Sequence, residues 1–106
     1  TSGPGAVNGL SGLADAWFDS FPVMGICGNV PTKEMKGFSG IRQNGFQEMD
    51  LVSMTRNISK YSVTANTSEG FADIVGRAYN MATLGRKGGV IIDFPLDIQQ
   101  ASIADR

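Results

Sequence analysis

The turn Thr1-Ser2-Gly3-Pro4-Gly5 stands directly before an apolar stretch of helical spacing. A helix start leaves backbone N–H groups without intrahelical partners and carries the positive end of the helix dipole, so such a turn can cradle an electron-rich ligand. A plain strand-to-helix turn has the same sequence, and spacing alone does not separate the two. Two nucleotide-binding patterns do fail. The dinucleotide fingerprint needs a third small residue where Asn8 stands, and no Gly-Lys-Ser/Thr is present to make a phosphate loop.

Asp15 and Asp19, one helical turn apart, have the spacing for paired-carboxylate chemistry, but a solvated helix face explains them more simply. Cys27 lies in an apolar run with no cationic or histidine neighbour to lower its pKa, and reads as a small buried hydrophobe rather than a nucleophile. Phe46-Gln47-Glu48 follows a glycine-bearing loop, where an aromatic ring and a carboxamide can face a crevice; an ordinary helix start is the other reading. Trp17 and Phe18 read as core or interface residues. Lys33, Lys36 and Arg42 suit an anionic substrate or simply a solvated loop.

Composition removes much else. The chain has 106 residues, enough for one domain at most, with 42% hydrophobic and 18% charged residues, a globular balance. A formal charge of −1 gives no electrostatic footprint for nucleic acid. The absence of histidine excludes Ser-His-Asp and Cys-His nucleophile systems and imidazole metal sites. With one cysteine there is no intrachain disulfide and no cysteine-clustered zinc, and no apolar run approaches the roughly 20 residues that span a bilayer. The expectation is a protein without metal ligands, nucleic-acid partner or membrane. Opening on a turn without methionine, the chain reads as a piece of a longer one.

The elements that must position these residues follow from periodicity. Leu10, Leu13, Ala14 and Trp17 predict a helix over about 5–19, stopped by Pro22, and the apolar run 23–27 predicts a buried strand. Residues 29–45 read as a long loop and 46–52 as a short helix with Phe46, Met49 and Val52 inward. The alternating run 60–64 predicts a strand. Phe71, Ile74, Val75, Ala78 and Ala82 form one stripe of a helix with Ser68 as N-cap, ending before Gly85. The near-continuous apolar run 89–94 is a strand covered on both faces. Helices alternating with buried strands predict an α/β fold, a parallel sheet with flanking helices.

Several segments together carry a resemblance. They are Thr1-Ser2-Gly3-Pro4-Gly5-Ala6 with Asn8, Gly12-Leu13-Ala14-Asp15-Ala16, Asp19-Ser20-Phe21-Pro22-Val23, Gly28-Asn29-Val30-Pro31-Thr32, Phe46-Gln47-Glu48, Thr55-Arg56-Asn57-Ile58-Ser59-Lys60 and the run from Gly85 to Pro95. In order, from Thr1 to about Gln100, they resemble the pyrimidine-binding domain of thiamine diphosphate enzymes, the acetolactate synthase group most closely. Relatives that decarboxylate oxalyl-CoA or cleave 2-hydroxyacyl-CoA share parts of the pattern. A noncatalytic α/β interaction module that has kept the fold and lost the cofactor is the reading from a different class.

The resemblance implies that residues 1–106 are a partial pyrimidine-binding domain, the second half of a six-stranded parallel sheet. It implies thiamine diphosphate as cofactor and a 2-oxo acid as substrate, with FAD an option in this group. Thr1, Gly3, Pro4, Gly5, Asn8 and Gln47 then lie along the cofactor, and Pro31, Gly45 and Phe46 line the substrate channel. Position 45 is more often alanine in the family, and the loop from Lys33 to Asn44 departs from its pattern. The magnesium and diphosphate are held by a diphosphate-binding domain of another subunit, so a homo-oligomer is expected. The family's catalytic glutamate belongs upstream of Thr1, and Glu34, Glu48 and Glu69 do not occupy its place; no catalytic residue is assigned here, and this chain alone is expected to be inactive. The compartment expected is the cytoplasm, or a plastid or mitochondrion in a eukaryote.

Overall fold

The computed structural model describes residues 3–35 and 40–103. Its centre is a parallel sheet of three strands, β1 (Val23–Asn29), β2 (Tyr61–Thr64) and β3 (Gly89–Pro95), in the order β1-β3-β2. The last strand in sequence is thus the middle one in space. Val23 pairs with Gly89 and Asn29 with Pro95 on one side of β3; Tyr61 pairs with Val90 and Thr64 with Asp93 on the other. The α/β class and the parallel sheet agree with the sequence reading.

Burial on both faces explains why β3 reads as an unbroken apolar run: all its residues but Phe94 are buried. Alternation along the strand sends Val90 and Ile92 to one face, where they pack with Ala78 and Ala82 of α4 (Phe71–Thr83) and with Ile74, Val75 and Val63. Phe94 on that face stacks on Phe71, ring centroids 4.3 Å apart and planes within 5°. The opposite face carries α2 (Leu10–Asp19) and α3 (Leu51–Thr55), both in contact with β3. There Gly89 leaves room for Leu13, whose Cγ would stand 3.4 Å from any Cβ at that position.

Several boundaries differ from expectation. The first helix is two, α1 (Pro4–Val7) and α2, because the chain tightens at Asn8-Gly9 into an i→i+3 bond from Gly9 N–H to the Ala6 carbonyl, 3.0 Å. The helix expected over 46–52 instead starts at Leu51. Gln47 has φ +60°, a left-handed conformation that no helix continues through, and Asp50 supplies the cap by accepting from Ser53 N–H and Oγ at 3.1 and 2.7 Å. Phe46 is accordingly 84% exposed rather than inward, and Leu51 and Thr55 take the buried positions.

α4 begins at Phe71, not near Ser68; Thr67 Oγ1, not Ser68, accepts the Gly70 N–H at 3.0 Å. Gly85 does follow its end at φ +68°. The loop after β1 contains a 3₁₀ turn (Thr32–Glu34), and a short α5 (Leu96–Gln100), absent from the sequence reading, follows Pro95.

Ile92 is fully buried between β1, β2 and α4. Ile92→Ala should lower the unfolding free energy by about 2–5 kcal/mol, read by urea unfolding, whereas Tyr79→Ser on the exposed side of α4 should change it by no more than about 0.5 kcal/mol.

Candidate functional site

The carboxyl ends of β1 and β3 open into a cleft of about 510 Å³ lined by Cys27, Pro31, Phe46, Gln47, Phe94 and Leu96 among others. Crevices in parallel α/β sheets form at this end of the strands, and this volume is of small-ligand size. Among the described residues no charged side chain contributes to its lining. Pro31, Phe46 and Gln47, three of the residues singled out in the sequence, are brought together here.

Gly3 is joined to them by a close approach. It is buried, has φ +59°, and a Cβ there would collide with the Gln47 carbonyl oxygen and stand 2.7 Å from Gln47 Cβ. Only glycine meets both demands at once. The amino-terminal turn and the Phe46-Gln47 turn, more than forty residues apart in sequence, are therefore packed backbone to side chain. Gly45 is buried beside them, where a Cβ would lie 3.0 Å from Val30 Cγ2 and 3.1 Å from the Glu34 carbonyl oxygen. Pro4, Gly5 and Asn8 stand exposed on and just after α1. Because α1 has only four residues, the dipole expected of a long helix at this turn is not developed. Thr1 lies outside the described residues, as does Lys36.

The Phe46-Gln47 turn is held by side chains. Glu48 Oε1 accepts from Asn44 N–H at 2.8 Å and Gly45 N–H at 3.4 Å; Gln43 Nε2 donates to the Gly45 carbonyl at 3.0 Å, and Asn44 Nδ2 to the Glu34 carbonyl at 2.9 Å. The Gln47 side chain is exposed, and its carboxamide makes no hydrogen bond with the described residues. On the far wall, Asp97 at the start of α5 accepts from Thr32 N–H at 3.0 Å and Thr32 Oγ1 at 2.5 Å, tying α5 to the 3₁₀ turn that follows Pro31. These two bonds hold the Asp97 carboxyl below its ordinary pKa.

Beneath the cleft, sequence reading missed a polar cluster. Asp93, 3% exposed, accepts from Asn29 Nδ2 at 3.0 Å and Thr64 Oγ1 at 3.1 Å, all three near the carboxyl ends of their strands. Burial pushes its carboxyl above the ordinary value; the two hydrogen bonds oppose this, and the negative charge of Asp50 adds to it. The available signal was a lone acid inside the run Gly89-Val90-Ile91-Ile92-Asp93-Phe94. A carboxylate in a strand buried on both faces needs partners. Partial burial raises the Cys27 thiol, which argues against a nucleophile. Cys27 is, however, half-buried and lines the cleft rather than the core, and of β1 only Asn29 is buried, where the sequence predicts a buried strand. Asp15 and Asp19 lie on α2, and neither lines the cleft. Among the described residues no set of three His, Cys, Asp or Glu is grouped to hold a metal ion, and no helix is long and apolar enough to cross a membrane.

Residues 1–54, about half of the chain, match the family described as "Thiamine pyrophosphate enzyme, N-terminal TPP binding domain"; thiamine pyrophosphate and thiamine diphosphate are the same compound. The chain is 44% identical over 100 residues to the chloroplastic acetolactate synthase of Arabidopsis thaliana and to chloroplastic acetolactate synthase 2 of Nicotiana tabacum, in each case across 94% of this chain and 14% of the relative. It is 41% identical to chloroplastic acetolactate synthase 1 of Oryza sativa subsp. japonica, across 94% of this chain and 15% of that protein. The chain thus spans about one seventh of the length of these relatives.

The two shifted carboxyls have opposite pH signatures. Asp93, raised in the fold, contributes stability below the ordinary carboxylate pKa of about 3.9 and loses it as pH rises from there through its folded value. Asp93→Asn should therefore gain on the native protein as pH climbs through that window. Asp97, lowered, contributes above about pH 3.9 and loses its contribution as pH falls through its folded value, so Asp97→Asn should fall behind the native protein only above that range. Urea unfolding of both variants across the acid range reads the two signs.

Proposed function

Because the chain belongs to the thiamine pyrophosphate enzyme family, we propose that the cleft at the carboxyl ends of β1 and β3 receives the ring end of thiamine diphosphate. The observation that carries this reading is the joining of Gly3 to Gln47 at an uncharged cleft of suitable volume. An aminopyrimidine is neutral, flat and rich in hydrogen-bonding nitrogens, which suits apolar walls with a free carboxamide. Among the described residues no cation lines the space to meet a diphosphate. The charged end of the cofactor and its magnesium are then held by another part of the assembly, the diphosphate-binding domain of a partner subunit.

In this reading Thr1, Gly3, Pro4, Gly5, Asn8 and Gln47 run along the cofactor, with Gly3 allowing the backbone to approach closely. Phe46 and Pro31 wall the approach of the substrate, and Gly45 keeps that wall seated against Val30. The chain's own contribution is orientation and exclusion of water from the ring. The bound cofactor supplies the carbon–carbon bond chemistry. The complete protein, like the acetolactate synthases it is similar to, acts on 2-oxo acids by decarboxylation and condensation. Its relatives are chloroplastic, which favours a plastid as its compartment.

Isothermal titration of thiamine diphosphate with magnesium into the complete protein that carries this chain tests the reading. The native protein should bind. Gly3→Ala, which forces a side chain into a left-handed position against the Gln47 carbonyl, should weaken binding by about tenfold or more. Equal affinity of the two proteins, or no binding by the native one, would sink the assignment.

A further inference from the structure

We propose that Asp93 is a positioning residue for the cleft: by gripping the Asn29 carboxamide it fixes the Met49 carbonyl, and with it the turn that presents Phe46 and Gln47. This rests on the reading of the cleft as a cofactor site. Asp93 itself does not line that cleft and acts on it through Asn29.

The Asn29 side chain is used from both ends. Its Nδ2 donates to Asp93 Oδ2 at 3.0 Å and to the Met49 carbonyl at 3.1 Å, and its Oδ1 accepts from Val30 N–H at 2.8 Å. Both amide hydrogens and the oxygen are thereby committed, so the carboxamide has one orientation. Thr64 Oγ1 donates to the same Asp93 oxygen at 3.1 Å, and Thr64 faces Asp93 in the strand register. One carboxyl group therefore links β1, β2 and β3 to the segment that follows the turn.

Met49 lies two residues after Gln47. Between Asn44 and Glu48 the chain is internally bonded, with Glu48 Oε1 accepting from two backbone amides and Glu48 N–H donating to the Gly45 carbonyl at 3.2 Å. On its carboxyl side the Met49 carbonyl is bonded to Asn29. The segment includes Gln47 at φ +60°, a conformation that persists only where surrounding contacts over-determine it.

Asp93 is also a poor choice for stability alone. Its Oδ1 is buried and has no hydrogen-bond partner among the described residues, beside a second cavity of about 320 Å³ reached by Arg42, Glu48 and Asp50. An unsatisfied buried acceptor is destabilising, and an aliphatic residue such as its strand neighbours Val90, Ile91 and Ile92 would avoid that cost. What an aliphatic side chain cannot do is hold Asn29.

The test uses the complete protein without cofactor and follows amide hydrogen exchange at Asn44, Gly45 and Glu48, with Ile74 and Ala78 of α4 as reference. Asp93→Leu should speed exchange at the three turn amides by about tenfold or more and leave α4 unchanged. Asp93→Asn keeps an oxygen for Asn29 and Thr64 and should remain within about twofold of native. Asn29→Ala cuts the same relay and should reproduce the leucine pattern even where leucine at 93 blocks folding. A second readout is thiamine diphosphate affinity, which Asp93→Leu should weaken about tenfold in the native background but less than about twofold in a Gln47→Ala background. Unchanged exchange at 44–48 in the Asn29 variant, equal acceleration in α4, or equal affinity losses in both backgrounds would each overturn the proposal. Native protein that shows the expected exchange pattern yet binds no thiamine diphosphate would remove the cofactor reading and leave the positioning role supported.

Discussion

Parallel pairing on both edges makes β3 the central strand, and its two faces are taken by α4 on one side and by α2 and α3 on the other. A strand in that position can carry a polar side chain only where neighbouring strands bring partners to it. The register does so: Thr64 stands opposite Asp93, and Asn29 lies two residues beyond Cys27, the β1 residue level with Asp93. Slipping either neighbour by one residue would turn its polar side chain to the other face and leave the carboxyl stranded. The cleft inherits this alignment, since its floor consists of the residues in which β1 and β3 end.

Long elements of strong periodicity were legible from the sequence. The stripe from Phe71 to Ala82, the glycine that ends that helix and the apolar run of β3 reappear in the structure. The short helices were not, because their boundaries depend on tertiary geometry. Nothing local marks Gln47 as left-handed; its conformation follows from packing against Gly3, a partner more than forty residues away. The delayed start of α3 and the exposure of Phe46 are of this kind, whereas the break between α1 and α2 is a local tightening at Asn8-Gly9. Of the site, Gly3, Pro31, Phe46 and Gln47 were accessible through resemblance to a family, and the structure adds how Gly3 and Gln47 meet. The cluster of Asn29, Thr64 and Asp93 escaped notice because it is assembled from three strands, and each residue alone is ordinary.

Two carboxyl groups near the cleft illustrate how environment rather than residue type sets protonation. Asp97, at the surface with two donors from Thr32, is held in its charged form; Asp93, enclosed between strands, is pushed toward its neutral form despite two donors of its own. Desolvation outweighs hydrogen bonding in one and is the smaller influence in the other. Neither acid is among the described residues that line the cleft.

The left-handed backbone at Gln47 has an evolutionary side. A side chain in that conformation stores on the order of 1 kcal/mol that glycine would release, so a more stable version of this loop lies a single substitution away. Exchanging the residue would erase the carboxamide, and any lineage that kept the amide inherits the tension together with the bare α-carbon opposite it. Positions 3 and 47 should consequently drift as a pair: a bulkier residue becomes tolerable at the first only after the second has swung away.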